Sequence, residues 1–405
     1  MSLLARLPLR RRLPPLPVAR YYLYMATNTM GLALPIWVVF LRAQGLSYTE
    51  IMVLDAVWWL GLTAGEIPTG FVGDRIGWRN SLVVGNALRA VAVVAMGLSS
   101  TFGVLAGVYL LWAVGTTLQS GSTDAWLYEL LERRVGEGAF ERVRGRGESV
   151  TLAVGAAAAV AGGYLGGANL RWPFFASGAL WLAGTVVLAT FPSVSVETDE
   201  RVTAVDVLPL LRERIAGSDL RRFVLWVGVL LGVAQAVSRF TQPVSVDLGV
   251  PVASLGWLYA GFTLLAALAS ARSEWIRDRA GLEGWFLLAP AVLGTLFVGA
   301  WVVPLVAVPG FVAIRAVRAV TTPLANGYVN DRAATAGRAT VLSGVSMAYS
   351  LVKLPFSVVG GVLADLGSPL AAMALLGGLL LAATAVVHRG GSPLGLASGA
   401  ETAAD

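Results

Sequence analysis

Long apolar stretches alternate with short polar segments along almost the whole chain. Twelve of these stretches are long enough to cross roughly 30 Å of hydrocarbon as α-helices. Six lie in the first half of the sequence, near residues 21–41, 50–72, 81–99, 103–125, 149–168 and 172–191. The other six lie near residues 223–246, 252–271, 285–303, 305–327, 341–364 and 369–387. The pattern predicts an all-α integral membrane protein with twelve transmembrane helices in two six-helix pseudo-repeats.

The polar segments divide the chain into two halves and three flanking or linking parts. Residues 192–222 are rich in charge and contain an amphipathic segment, which predicts a cytoplasmic linker with a surface helix. This linker separates an N-terminal half at 21–191 from a C-terminal half at 223–388. A basic, proline-rich tail at 1–20 precedes the first span, and a second tail occupies 389–405. The first span is full length and lacks a small-residue cleavage site, so we expect an uncleaved helix and not a signal peptide.

Arginines are distributed unevenly between the two sides of the predicted membrane. If the N-terminus is cytoplasmic, the cytoplasmic segments hold 23 arginines, whereas the outside loops hold only Arg42 and Arg171. Basic residues accumulate on the cytoplasmic side of membrane proteins. The asymmetry therefore predicts that both termini are cytoplasmic, in a multi-pass protein of the cell membrane.

Composition supports the same class and excludes several others. The chain is 56% hydrophobic and 13% charged, with a mean hydropathy of +0.72, whereas soluble domains are roughly a quarter charged. There is no cysteine and only one histidine, His388, so we predict no metal site and no cofactor. The arginines lie between apolar spans, which argues against nucleic acid as a partner, and the chain has no phosphate-binding loop. With no Ser/His pair in a span, a membrane enzyme is disfavoured.

A charged, glycine-rich motif follows the second span and recurs in the second half. Residues 65–79 read GEIPTGFVGDRIGWR, and residues 278–281 read DRAG, with the two aspartates 204 residues apart. A similar duplication places adjacent glycines in the fifth and eleventh spans, at 162–163 and 360–361, where they allow close helix packing. A motif between spans that recurs at half-length indicates a duplicated transporter.

The motif resembles the signature loop of the major facilitator superfamily. That resemblance implies a clamp on the cytoplasmic ends of neighbouring helices, with a static brace as the alternative. We expect Asp124, at the inner end of the fourth span, to join Asp74 and Arg75 in this cluster. The predicted gating residues are Gly70, Gly73, Asp74, Arg75, Gly77, Arg79, Asp124, Asp278 and Arg279.

Further segments are similar to the drug and metabolite efflux branch of the superfamily that carries Glu-x-Pro-Thr-Gly in the second span. They are residues 35–37, 45–47, 120–125 and 338–343. The resemblance implies proton-linked export of a small organic or amphipathic molecule. Three departures from the pattern are the absence of a basic residue between Gly103 and Trp126, Ala161 in place of a proline, and Trp78 in place of a basic residue.

Charged residues inside the N-terminal spans are candidate functional groups, because each is costly unless it is paired or faces water. Glu66 and Arg89 lie at matching depth on neighbouring helices, so we expect either a structural ion pair or a titrating Glu66. Asp55 lies nearly on the same helix face as Glu66. It is interpreted either as a second proton carrier or as a solvated residue of the outer mouth.

The C-terminal spans carry positive charge in the form of Arg239, Arg315, Arg318 and Lys353, the only lysine in the chain. Arg315 and Arg318 are three apart in the tenth span, which by family resemblance lines the central cavity together with spans one, four and seven. We predict that they contact either an anionic substrate or a carboxylate of the N-terminal half. Asn28 and Gln235 are candidates for polar contacts to substrate. Tryptophans 58, 59, 112, 226 and 257 are candidates for a pocket, against the alternative of packing or interfacial anchoring.

The sequence thus predicts a secondary active transporter that works by alternating access and exports a small molecule with protons as the coupling ion. Two alternatives stay open: a facilitator or importer of an anionic metabolite, and a non-transporting sensor or partner-binding protein of the same fold. We expect a monomer in the lipid bilayer.

Overall fold

The described part of the chain is α-helical. The computed structural model describes residues 14–120, 122–134, 138–192, 218–332 and 338–389. Their α-helices, in chain order, are α1 (Leu16–Thr27), α2 (Trp37–Ala43), α3 (Tyr48–Ile76), α4 (Trp78–Leu98), α5 (Phe102–Gln119), α6 (Ser122–Arg134), α7 (Phe140–Ala168), α8 (Trp172–Ala189), α9 (Ser218–Arg239), α10 (Thr241–Asp247), α11 (Val252–Ala271), α12 (Ser273–Val302), α13 (Ala307–Arg332), α14 (Arg338–Leu366) and α15 (Pro369–Arg389). The amphipathic segment of the predicted linker and the C-terminal tail after Arg389 lie outside the described residues, as do residues 1–13 of the N-terminal tail. The first helix begins at Leu16, inside the predicted tail.

Ten of the described helical segments are long and apolar enough to cross a bilayer. They correspond to predicted spans three to twelve. The helix of the second predicted span, α3, is not among them, and it carries Glu50, Asp55 and Glu66. Its 29 residues would nevertheless extend about 43 Å at 1.5 Å per residue. It begins at a capping box in which Ser47 and Glu50 satisfy each other's backbone N–H groups.

The first predicted span is not one continuous helix. It consists of α1 and α2, separated by a turn and a short 3-10 helix at Leu34–Ile36. The hydroxyl of Thr29 accepts the Gly31 N–H at 3.0 Å. This side-chain bond replaces a helical backbone bond and favours the break in the helix. A broken helix at membrane depth requires protein partners for its free backbone groups.

The seventh predicted span is interrupted at the equivalent place, between α9 and α10. Each interruption is followed by a seven-residue helix, α2 or α10. Those helices end before Gly45 and Gly249, which are 204 residues apart and both have a φ of 89°. Gly77 and Gly281 form a second pair at the same separation, with φ of 80° and 66°. These left-handed conformations suit glycine because it has no Cβ, so the duplication extends to turn geometry.

The second glycine of each Gly-Gly pair packs against the opposite half. A Cβ on Gly163 would lie 2.5 Å from the carbonyl oxygen of Ala253 in α11, and one on Gly361 would lie 2.8 Å from Cα of Thr49 in α3. Both approaches are closer than a side chain allows. Helices α7 and α11, and α3 and α14, thus form two equivalent seams between the halves.

The first glycine of each pair packs within its own half. Gly162 lies directly against the backbone of Leu32, in the interrupted part of the first span, and Gly360 faces Ala236 of α9. The close packing predicted from these glycine pairs is therefore confirmed. It is divided between a contact inside each half and a contact across the halves.

The two ends of the helix bundle differ in how they join the halves. We call the end where α3 stops and α4 begins the motif end, and the end where α2 stops and α3 begins the distal end. Both glycine seams lie toward the distal end. So does Asp365, at the end of α14, whose carboxylate accepts the N–H groups of Tyr48 and Thr49 at 2.8 and 2.7 Å. A carboxylate at a helix N-terminus is favoured by the helix dipole and by the free N–H groups.

Candidate functional site: a charged centre between the two halves

Asp55 of α3 and Arg239 of α9 form an ion pair that joins the halves. Asp55 Oδ2 lies 2.5 Å from Arg239 Nε, and the two side chains are only 13% and 25% exposed. Asp55 is therefore paired and largely buried, and the interpretation as a solvated residue of the outer mouth is wrong. A carboxylate of the N-terminal half does meet an arginine of the C-terminal half, but that arginine is Arg239 and not one of the pair in the tenth span.

Gln242 of α10 fills the interruption of the first span. Its Oε1 accepts the N–H groups of Val38 and Val39 at 2.7 and 3.3 Å, and its Nε2 donates to the Leu34 carbonyl at 2.8 Å and to the Tyr259 hydroxyl at 2.9 Å. Gln242 is 3% exposed. It supplies from the other half the cap that the start of α2 needs. Sequence reasoning missed it and named only Gln235, although Gln242 is an amide in the same apolar span.

Arg318, Gln235 and Lys353 lie together in the C-terminal half. Arg318 Nη1 donates to Gln235 Oε1 at 2.9 Å. Arg318 is within electrostatic range of Arg239 and Lys353, and Lys353 Nζ lies 6.0 Å from the ring centroid of Trp59 in α3. Three of the predicted cations thus converge on one region, and Gln235 contacts one of them.

Arg315 is directed differently from Arg318, although it lies only three residues before it. Its guanidinium lies over the rings of Tyr259 and Phe262 in α11, 5.4 and 5.2 Å from their centroids. Such cation–π contacts partly compensate the charge. Of the two partners predicted for Arg315 and Arg318, a carboxylate of the N-terminal half contacts neither among the described residues in this conformation. The other partner, an anionic substrate, stays a prediction.

Arg89 is held by neutral groups of the N-terminal half. It donates to Asn28 Oδ1 at 2.9 Å and to Gln119 Oε1, and its guanidinium lies 4.1 Å from the ring centroid of Trp181. The expected ion pair with Glu66 does not occur among the described side chains, because Arg89 points toward α1 and α5 while Glu66 is exposed. Helical rise predicted that Arg89 and Glu66 lie at the same depth, but it could not predict the direction of their side chains.

Glu66 borders a small polar cavity near the motif end. The cavity has a volume of about 250 Å³. Its lining is rich in hydroxyl groups and comprises Glu66, Thr69, Gly70, Gly73, Trp78, Thr117, Leu118, Ser120 and Ser122. Glu66 is therefore accessible to water, unlike Asp55.

At the motif end, Asp124 of α6 pairs with Arg144 of α7. Arg144 Nε lies 3.0 and 3.1 Å from the two carboxylate oxygens. The predicted partner Arg75 instead packs over the ring of Phe71, 4.3 Å from its centroid. The side chain of Asp74 lies outside the described residues. The predicted contact of Asp124 with Arg75 therefore does not occur among the described side chains, its partner being Arg144 of α7. The contact with Asp74 stays a prediction.

Two arginines bind the end of α8 at the motif end. Arg79 donates to the carbonyl of Ala189, and Arg20 donates to the carbonyl of Thr190 at 2.9 Å. Cations are favoured at a helix C-terminus, where carbonyl groups lack helical partners. Arg79 of the motif thus connects the start of α4 to the end of α8.

The motif glycines and their second-half equivalents have different roles. Gly77 supplies the left-handed turn between α3 and α4, and Gly73 faces Ser81, whereas Gly70 has open space around its Cα. In the second half, Asp278 lies 3.6 Å from its neighbour Arg277, and both are exposed. Arg279 lies over the ring of Trp275. The predicted loop is thus mostly helix, with the turn confined to one glycine.

Aromatic side chains form a connected wall in the N-terminal half. The ring of Trp58 lies 4.9 Å from that of Trp59 and 5.0 Å from that of Trp112, which in turn contacts Trp37 at 5.4 Å. Trp226 is instead a buried packing residue. The candidate pocket tryptophans therefore divide into a wall of three near the charged centre and others with structural contacts.

Two helical halves, joined at one end around buried charges, define a membrane transporter fold. The sequence profile described as the Major Facilitator Superfamily matches residues 22–350. The chain therefore belongs to the Major Facilitator Superfamily. It is also 25% identical over 249 residues to an uncharacterised MFS-type transporter, YxaM, of Bacillus subtilis (strain 168). That match spans 59% of this chain and 61% of the relative.

Solved structures share the fold at low sequence identity. A mutant of the nucleoside transporter NupG superposes with a TM-score of 0.79 at 11% identity, covering 92% of this chain and 98% of that one. A bacterial homologue of the human lysosomal transporter Spinster, solved inward-facing and occupied, gives 0.68 at 14% identity, with 91% and 92% covered. A D-xylose–proton symporter gives 0.64 at 14% identity, with 91% and 95% covered. At these identities the likeness concerns the fold alone.

Proposed function

We propose that the chain is a proton-coupled secondary transporter with twelve spans that exports a small organic molecule by alternating access. The observation that carries this proposal is the buried Asp55–Arg239 pair. It joins the halves near the distal end, so it must break whenever that end opens. Protonation of Asp55 neutralises the carboxylate of the ion pair and so weakens its attraction to Arg239. Proton binding is thereby coupled to opening of the distal end.

The arginine distribution supports a cytoplasmic motif end and an external distal end. In that orientation the described conformation is closed to the outside. Its distal end is held by the Asp55–Arg239 pair, by Gln242 and by Asp365. In an antiport cycle, Asp55 takes a proton from outside while the distal end is open. Arg239 displaces that proton toward the cytoplasm when the halves close again.

The motif is proposed as the opposing gate. Arg79 and Arg144 already anchor the motif ends of α4 and α6 to their neighbours within the N-terminal half. Asp74, Arg75, Asp278 and Arg279 are proposed to join the halves when the motif end closes. This assignment comes from the family resemblance and from the exposure of Asp278 and Arg279.

Transport in proteoliposomes under an imposed pH gradient tests the proposal. Radiolabelled and fluorescent compounds are screened first, and a transported compound is then followed in an Asp55→Asn variant. We expect this variant to lose gradient-driven accumulation while it still exchanges substrate across the membrane. Glu66→Gln is the matched control, because Glu66 is exposed and unpaired with Arg89, and it should keep its response to the gradient. Unchanged gradient-driven accumulation in Asp55→Asn would refute the coupling role.

A facilitator or importer of an anionic metabolite is the second candidate. It is favoured by the positive charge of Arg318 and Lys353 in the C-terminal half. The same vesicles distinguish it, since flux through the wild-type chain would then not depend on the pH gradient. A protein that binds compounds but moves none would be a sensor of the same fold.

A further inference from the structure

The charged centre contains more positive than negative side chains. Asp55 neutralises Arg239, and Arg315 lies over two aromatic rings. Arg318 is repelled by the positive charges of Arg315 and Arg239, and Lys353 is repelled by that of Arg318. Neither residue forms an ion pair with a carboxylate among the described residues. Two half-buried cations thus lie near each other without an anion.

Such an arrangement is costly in a membrane protein unless an anion compensates it. An arginine cannot reduce the cost by releasing its proton. Gln235 holds Arg318 by accepting one of its N–H groups at 2.9 Å, which fixes the guanidinium and leaves its other donors available. Structural packing alone gives no reason for two like charges on α13 and α14 to converge.

The surface opposite these cations is aromatic. Trp59 faces Lys353 across the halves, and Trp58 and Trp112 extend the wall. Nε1 of Trp58 is buried and has no hydrogen-bond partner. A planar guanidinium with an ammonium group suits a carboxylate or phosphate, and indole rings suit a flat aromatic body.

We propose that Arg318 and Lys353 form a binding site for an aromatic carboxylate or phosphate ester, with Trp59 and its neighbours contacting the apolar part. The inference rests on the proposed function, because it takes the centre between the halves to be the substrate path. Gln235 is a positioning residue in this site. Arg318 and Lys353 contact the anionic group.

Calorimetric titration of the purified full-length chain in detergent tests the site without any gradient. The probes are naphthyl phosphate, naphthoate and the uncharged naphthamide, which share one ring system and differ in charge. We expect both anions to bind about tenfold or more tightly than the amide, as the loss of a charge-assisted hydrogen bond implies. Equal affinity for the anions and the amide, or no anion binding at millimolar concentration, overturns the proposal.

Variants assign the effect to these two residues. Arg318→Gln and Lys353→Gln should each weaken anion binding about tenfold and leave the amide unchanged. Lys353→Arg, which keeps the charge, should retain the preference for anions. Arg315→Gln is the matched control one helical turn away, and it should change anion affinity by less than about threefold because its charge is directed at α11. An equal loss in Arg315→Gln would refute the assignment.

The two proposals fail separately. Anion binding in detergent without flux in vesicles would leave the site and remove the transport function. Gradient-driven flux of neutral compounds without anion binding would support the transport function and remove the proposed anion site. Thermal unfolding of each unliganded variant shows whether it is folded, and the comparison of probes on the wild-type chain stands even if a variant is not.

Discussion

The amide oxygen of Gln242 accepts the backbone N–H of Val38 at 2.7 Å, although the two residues occupy equivalent positions in the two halves, 204 residues apart. Each residue lies second in the seven-residue helix after the interruption in its half. One half supplies an apolar side chain there and the other supplies an amide. The duplicated fold is therefore symmetric in its backbone and asymmetric in the group that closes the distal end.

We predict that Gln242→Ala shifts the protein toward a conformation open at the distal end. The change removes the partner of two N–H groups, one carbonyl and the Tyr259 hydroxyl, which costs about 1–3 kcal/mol for each group that stays buried and unsatisfied. Since the chain has no cysteine, cysteines at Ala43 and Val303 can carry spin labels for distance measurement. The label distance should lengthen. Gln235→Ala is the control, because Gln235 bonds inside one half; an equal lengthening there would contradict the role of Gln242.

The Asp55–Arg239 pair predicts the outcome of a charge exchange. Arg239→Asp alone places two carboxylates together and should abolish transport, because breaking a buried pair costs roughly 3–5 kcal/mol. Combining it with Asp55→Arg should restore part of the flux of the transported compound in proteoliposomes. The control combines Arg239→Asp with an exchange of the other ion pair, Asp124→Arg and Arg144→Asp, at the motif end. This combination should not restore the flux. Failure of the double exchange in a folded protein would mean that the pair is not a simple electrostatic contact.

The second glycine seam predicts a steric effect. Gly361→Val should prevent close contact between α14 and α3, because a Cβ there would lie 2.8 Å from Thr49 Cα. We expect the distance between labels at Ala43 and Val303 to lengthen and transport to fall. Gly378→Val, in α15, is the control, since no atom lies within 4 Å of its added Cβ. Unchanged distances in Gly361→Val would show that the seam tolerates a gap.

Asp365 should contribute to the same closure through the start of α3. Asp365→Ala removes the acceptor of the Tyr48 and Thr49 N–H groups, and loss of an N-terminal cap costs about 1 kcal/mol. The population with the distal end closed should fall correspondingly in the label-distance distribution. Asp247→Ala is the comparison, because Asp247 is exposed at the end of α10 and has no such contact described. A similar fall in that variant would point to a general effect of surface charge.

Spans and internal repeats could be predicted from the sequence, because apolar length and glycine spacing are local properties. Spans three to twelve coincide with the ten helices of membrane-spanning character, and the glycine pairs pack as expected. The interruption of the first span was not predicted. Pro35 lies within it, but a proline is also common in a continuous span, and the backbone partners of this segment come from Gln242 on another helix.

The partners of the buried charges were also beyond the sequence. Asp55 and Arg239 are 184 residues apart, and Arg89 turns toward Asn28 and Gln119 and away from Glu66. Helical rise predicts depth in the membrane, but a rotation of one residue changes a side chain's direction by about 100°. Arg144 could have been suspected as the partner of Asp124 only if the start of the fifth helix had been placed earlier than residue 149, since α7 begins at Phe140.

The surplus of positive charge around Arg318 and Lys353 also bears on the membrane voltage. Moving one elementary charge through 100 mV involves about 2.3 kcal/mol. A cation that crosses about a fifth of that potential therefore changes the energy of the carrier by about 0.5 kcal/mol. An empty carrier whose cations shift as the halves rock would therefore reorient at a voltage-dependent rate. Binding of an anion would cancel much of that charge and make the loaded carrier less sensitive to voltage than the empty one.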